Sequence, residues 1–135
     1  MTPREEQTLR RITTALSSLR ISAVLSEDAI HRRISEVFTK GGVSFEHEYK
    51  AFPRKRFDFW VDGIVVEVKK SRPDRKKLLI QLNKYTGDER VKAVVYVSGL
   101  GVQNRAPQHM PSLPSEMNGK PIVSVCLTMN WGVAV

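Results

Sequence analysis

The amino-acid sequence predicts an α/β (α+β) chain built on one central mixed β-sheet flanked by helices, and three observations predict it. Two segments of helical period open the chain. An Asp62-Gly63 dipeptide then separates two stretches rich in β-branched and aromatic residues. A third helical segment leads into the continuous apolar run Val91 to Ser98. The resulting order of helix, helix, three antiparallel strands, helix and two strands fits a single mixed sheet with helical cover. At 135 residues the chain has length for one core, which folds without disulfides or a structural metal.

Thr2-Pro3-Arg4-Glu5 carries a capping box with proline at the first helical position, and Leu9, Ile12, Leu16 and Leu19 follow at helical spacing. A first amphipathic helix to about Leu19, with the apolar connector Ile21 to Leu25, makes residues 1–25 an N-terminal appendage to a domain spanning 26–135. Ser26 caps a second helix with Glu27 and Asp28 in its first turn, Ile30, Ile34, Val37 and Phe38 on its apolar face, and Gly41-Gly42 at its end. Val43 to Ala51 alternates as a strand, and Arg56 to Lys70 reads as a hairpin around Asp62-Gly63. Pro73 is expected to open a helix carrying Leu78, Gln81, Leu82 and Tyr85, closed by Gly87. Residues 99–120 lack periodicity and read as a long loop before a last strand, Pro121 to Met129.

A single cysteine, Cys126, excludes a disulfide scaffold, and no apolar run approaches the roughly 20 residues of a membrane span. Without a signal-peptide pattern at Met1 to Glu6, a cytoplasmic protein with no membrane partner is expected. The formal net charge is +8, and ten basic residues stand against four acidic ones between Lys50 and Lys77. Such a cluster is either a solvated surface or a phosphate-binding face, and Arg54, Lys55, Arg56, Lys70, Arg72, Arg75 and Lys76 are its candidate phosphate contacts.

The acids within the cluster carry the chemistry. With Asp62 and Gly63 as the turn, Val61 faces Ile64 and Asp58 lies opposite Glu67. Alternation then places Phe57, Phe59, Val61, Ile64, Val66 and Val68 on one face, and Arg56, Asp58, Trp60, Val65, Glu67 and Lys69 on the other. Two opposed carboxylates are unfavourable unless a cation lies between them. Mg²⁺, with Mn²⁺ as a substitute, suits a site of one or two carboxylates that also takes substrate phosphate oxygens. Lys69, two residues on, is placed to orient or deprotonate an attacking water. The competing reading is a surface salt-bridge ladder in which Asp58 and Glu67 pair with Arg56 and Lys69.

Asp58, eight intervening residues and Glu67-Val68-Lys69 resemble the D…ExK signature of the PD-(D/E)XK nuclease superfamily, although Phe57 stands where the signature's name places proline. Gln81-Leu82-Asn83-Lys84-Tyr85 is similar to the QxxxY element of RecB-like members, and Gln81 and Tyr85 share a helical face. The resemblance implies a restriction-endonuclease-like core preceded by one extra helix. It also implies metal ligation by Asp58, Glu67 and the Val68 carbonyl, water activation by Lys69, positioning by Gln81, and a helix glutamate for which Glu27 is the best match. Glu36, on the opposite face, is a poorer one. Gln81 otherwise only satisfies a backbone group, and Glu27 only complements the helix dipole. Tyr85 either contacts nucleic acid or fills the core, as Trp60 either stacks on a base or covers the sheet.

The expected activity is a Mg²⁺-dependent deoxyribonuclease, an endonuclease selective for DNA structure or strand rather than sequence. The rivals are a catalytically silent nucleic-acid-binding module on the same fold and a structural or assembly protein. A homodimer would cut both strands, and the Leu9/Ile12/Leu16/Leu19 stripe either supplies its interface or covers the core. His31, His47 and His109 are scattered, with no zinc-like spacing, and read as surface or core histidines. Cys126 reads as a buried apolar residue, and Gly99-Leu100-Gly101 lacks the third glycine of a dinucleotide loop.

Overall fold

A computed structural model describes residues 1–22, 26–52, 55–69, 74–98 and 113–130. Helix α1, Pro3–Ser17, is closed at its start by the expected capping box: Thr2 Oγ1 accepts from the Glu5 N–H, and Glu5 Oε1 accepts from the Thr2 N–H. It stops short of Leu19, and the connector begins a short strand β1, Arg20–Ser22. Helix α2, Glu27–Lys40, is capped by Ser26 and ends at Gly41, with Gly42 at φ +74°. Strands β2 (Glu46–Phe52), β3 (Lys55–Val61) and β4 (Ile64–Lys69) follow.

Helix α3 spans Arg75–Thr86 with Asp74 as its cap, the Asp74 carboxylate accepting from the Lys77 N–H, and Pro73, expected to open it, lies outside the described residues. β5 (Ala93–Ser98) is buried throughout. β6 (Glu116–Met117) forms within the stretch expected to be loop, and the last strand divides into β7 (Lys120–Cys126) and β8 (Thr128–Asn130). The split falls at Leu127, whose N–H bonds the Ser98 carbonyl while β8 leaves to pair parallel with β1.

The main sheet is mixed, in the order β2-β3-β4-β5-β7-β6. β2, β3 and β4 are antiparallel neighbours, β4-β5 and β5-β7 are parallel, and β6 returns antiparallel. At the β3-β4 turn Asp62 and Gly63 both have positive φ, 46° and 91°, the conformation that makes Asp-Gly a hairpin signal. A Cβ on Gly63 would lie 2.9 Å from Lys92 Cγ and 3.0 Å from the Arg90 carbonyl, so the position also needs glycine's lack of a side chain.

Each sheet face has its own apolar cluster. Ile12, Leu16 and Leu19 join Ile30, Ile34 and Phe38 of α2 against Phe59, Val61, Val66, Val68 and Val95. The other face packs Leu78, Leu82 and Tyr85 of α3 against Phe57, Val65, Val94 and Tyr96. The α1 stripe therefore covers the core and is spent there, since burying each such side chain contributes about 1.5–3 kcal/mol. Cys126 is half-buried rather than enclosed. Among the described residues no helix is long and apolar enough to cross a membrane.

Candidate functional site

The β3-β4 register pairs Val61 with Ile64, Trp60 with Val65 and Phe59 with Val66, as the turn position requires. Beyond that point the carboxylates enter the ladder. Asp58 Oδ2 accepts from the Val68 N–H at 2.8 Å, and Glu67 Oε1 accepts from the Asp58 N–H at 3.2 Å.

The two acids do not share a sheet face, which corrects the strict alternation read from sequence. Phe59 and Val61 pack towards α1 and α2, but Phe57, two residues away, packs towards α3 and stacks on Trp60 at 5.5 Å. β2 reverses at the same level: His47 stacks on Phe59 at 4.7 Å, whereas Tyr49 lies against Trp60 at 5.2 Å. Residues two apart on a regular strand keep one face, so both strands turn over between these pairs, at Glu48 and Asp58. Glu48 has φ +54°, a left-handed conformation that costs a non-glycine residue about 1–2 kcal/mol. The turnover swings Asp58 towards α2, while Glu67 and Lys69 remain on the Val65 side.

Glu67 is 2% exposed. Burial first, and the Asp58 charge second, push its carboxyl well above the ordinary carboxylate range, against the opposing effects of the Asp58 N–H, Lys69 and Tyr85. The Tyr85 hydroxyl is itself shifted upward, by burial first and then by the nearby charges of Glu67 and Asp58. Gln81 Nε2 donates to Tyr85 Oη at 2.8 Å. The two residues read as a helical pair are thus joined to each other, with Tyr85 near enough to Glu67 to feel its charge. Tyr85 is buried, so its role is this contact and core packing rather than the nucleic-acid surface.

On the α2 side, His31 Nε2 lies 3.8 Å from Asp58 Oδ2 and 4.0 Å from Glu27 Oε1. One donor atom from each of Glu27, His31 and Asp58 falls within 4.8 Å of the other two. Glu27 is exposed and Asp58 half-buried, while His31 is buried and its Nε2 has no hydrogen-bond partner among the described residues. His31 Nδ1 meets His47 Nε2 at 2.9 Å. His31 is thus a buried histidine and His47 an exposed one, within the sequence reading, but the two meet beside Glu27 and Asp58 rather than lying scattered. The available signal was Glu27-x-x-x-His31, a spacing that stacks both side chains on one helical face.

Arg56 pairs with Glu48 at 3.4 Å rather than with Asp58, so the competing salt-bridge ladder does not form at that position. Arg75 and Lys76 are exposed in the first turn of α3 and line a cleft of about 1030 Å³ with Leu79, Ile80 and Met117. None of Glu27, His31, Asp58 or Glu67 lines it. Arg54, Lys70, Arg72, Gly99, Gly101 and His109 lie outside the described residues, as does the side chain of Lys55. The chain matches no protein-family model, no curated protein and no solved structure.

Proposed function

We propose that this chain is a metal-dependent nuclease that hydrolyses phosphodiester bonds of DNA, with a site built from Glu27, His31, Asp58, Glu67 and Lys69. The observation that carries the reading is the convergence of Glu27, His31 and Asp58 donor atoms within 4.8 Å, beside a second carboxylate, Glu67, whose charge Asp58 opposes. The unpartnered, buried His31 Nε2 fits a cation: a ring nitrogen between two carboxylates is otherwise left without a partner. Glu27, His31 and Asp58 would hold the ion, while Glu67, across the sheet from that group, supports Asp58 by accepting from its N–H. Bound there, a divalent ion supplies Lewis acidity towards a phosphate oxygen and acidifies a water. The nitrogen donor favours Mn²⁺ over Mg²⁺, since imidazole suits softer ions than an all-oxygen set does.

The residues divide the remaining work. Lys69 lies close enough to Glu67 to favour that acid's charged form, and from there it would orient or deprotonate the attacking water and offset charge on the phosphate. Gln81 holds Tyr85, which faces the Glu67 charge from α3. The order α2-β2-β3-β4-α3-β5, with its antiparallel hairpin and parallel fourth strand, supports the restriction-endonuclease-like arrangement that the D…ExK resemblance implies.

A polyanionic partner is supported by the first turn of α3. Arg75, Lys76 and Lys77 stand in the first turn of the helix, where the single Asp74 carboxylate at the N-cap leaves a net positive helix start that suits an anion. Reversing the charge of Arg75 and Lys76 together is expected to weaken duplex binding across sequences. It should also make the slope of log K against log salt shallower, by about one for each phosphate that the variant no longer neutralises. An unchanged slope places the nucleic acid elsewhere.

The deciding experiment incubates labelled duplex, single-stranded, flap and four-way DNA with the protein in Mg²⁺, Mn²⁺ or EDTA. Cleavage with either ion that EDTA abolishes is the expected result. Binding without cleavage in every condition would establish a silent binding module instead, and neither binding nor cleavage would leave the basic surface without a nucleic-acid role.

A further inference from the structure

Resting on the reading of Glu27, His31 and Asp58 as metal ligands, we propose that His47 is a positioning residue that fixes which nitrogen of His31 faces the metal. At 2.9 Å, His31 Nδ1 and His47 Nε2 share one proton, one nitrogen donating and the other accepting. With that proton on His31 Nδ1, Nε2 is a bare lone pair, and Nε2 is the atom turned towards Asp58 and Glu27. The opposite tautomer puts an N–H at Nε2. A buried donor there would close on a carboxylate oxygen to about 2.7–2.9 Å. Instead the nearest such oxygens stand at 3.8 and 4.0 Å, and Nε2 makes no hydrogen bond among the described residues.

The acceptor is itself held. The His47 ring stacks on Phe59 at 4.7 Å with 27° between planes. Phe59 is fully buried and braced edge-on by Phe38 and Phe45 at 5.6 and 5.7 Å. A ligating histidine needs its other ring N–H held by an acceptor, which sets the tautomer and raises the basicity of the ligand. Here that acceptor is a second imidazole, supplied by β2.

His47→Phe keeps a ring for Phe59 and removes the acceptor, while His47→Gln returns an acceptor oxygen. Long-range ¹H–¹⁵N spectra of the metal-free protein should show His31 protonated at Nδ1 in the parent, and as a mixture of tautomers in His47→Phe. Calorimetric titration with Mn²⁺, without nucleic acid, should show about tenfold or greater weakening in His47→Phe and recovery in His47→Gln. An Nε2-protonated His31 in the parent overturns the inference, as does undiminished Mn²⁺ affinity in His47→Phe or failure of glutamine to restore what phenylalanine removes. Asp58→Asn, titrated alongside, separates the two levels. A parent that binds no Mn²⁺, or an Asp58→Asn variant that binds it equally, rejects the metal site itself. Binding that depends on Asp58 but not on His47 rejects only the positioning role.

Discussion

Lys69→Ala is expected to lower single-turnover DNA cleavage by about 10²–10⁴-fold, the usual contribution of a positioned proton-transfer group, while DNA affinity stays within a few-fold. Lys69 is half-buried at the end of β4, where its charge reaches Glu67. An exposed lysine serving only as one phosphate contact would show the reverse pattern: weaker binding, a shallower salt dependence and little change in the rate of bound substrate. Glu67→Gln should fail in the same way as Lys69→Ala, because glutamine preserves the shape and the Asp58 N–H contact but not the charge. Cleavage at the parental rate by either purified variant rejects the catalytic assignment.

The metal-free protein should be stabilised by Glu67→Gln at pH 8 and almost unaffected near pH 4. The sign follows from the direction in which burial moves the acid. Glu67 titrates above its ordinary value of 4.5 because it is buried beside Asp58. The folded state therefore keeps a proton that the unfolded chain has released, and stability falls as pH rises above about 4.5 until the folded-state pKa is passed. Glutamine resembles the protonated acid and does not take part in that loss. A tenfold difference in proton affinity between the folded and unfolded chains is worth about 1.4 kcal/mol, so the variant should melt several degrees above the parent at pH 8. Saturating Mn²⁺ should raise both melting points and keep that order, since an ion that binds only the folded state adds about 2.7 kcal/mol at one hundred times Kd. Melts at the two pH values, with EDTA and with Mn²⁺, check all three parts. A variant less stable than the parent at pH 8 in EDTA would mean that the Glu67 charge is satisfied without metal.

What was legible in the sequence is what local chemistry determines. Thr2 and Glu5, Ser26, and Asp62-Gly63 each fix a helix start or a turn within a few residues, and the turn alone carries the register to Phe59 and Val66. The Asp58-Glu67 meeting followed from that register. The face of Asp58 did not, because the turnover depends on Glu48 adopting a positive φ, and glutamate carries no signal for that conformation. The His31-His47 contact joins a helix to a strand sixteen residues away, so only packing shows it. Leu127 ends β7 because β8 finds a partner in β1, a pairing of three residues at opposite ends of the chain and too short to leave a periodic trace.

The carboxylates that enter the hairpin ladder also change what the backbone amides there report. Most protected amides of a central strand exchange hydrogen only when the strand separates from its neighbour. The Val68 N–H is instead held by the Asp58 carboxylate, and the Asp58 N–H by that of Glu67. Their exchange with deuterium is therefore governed by the rotation and protonation of two side chains rather than by global opening. In a sheet whose other amides record the stability of the whole molecule, these two form a local clock for the integrity of the site.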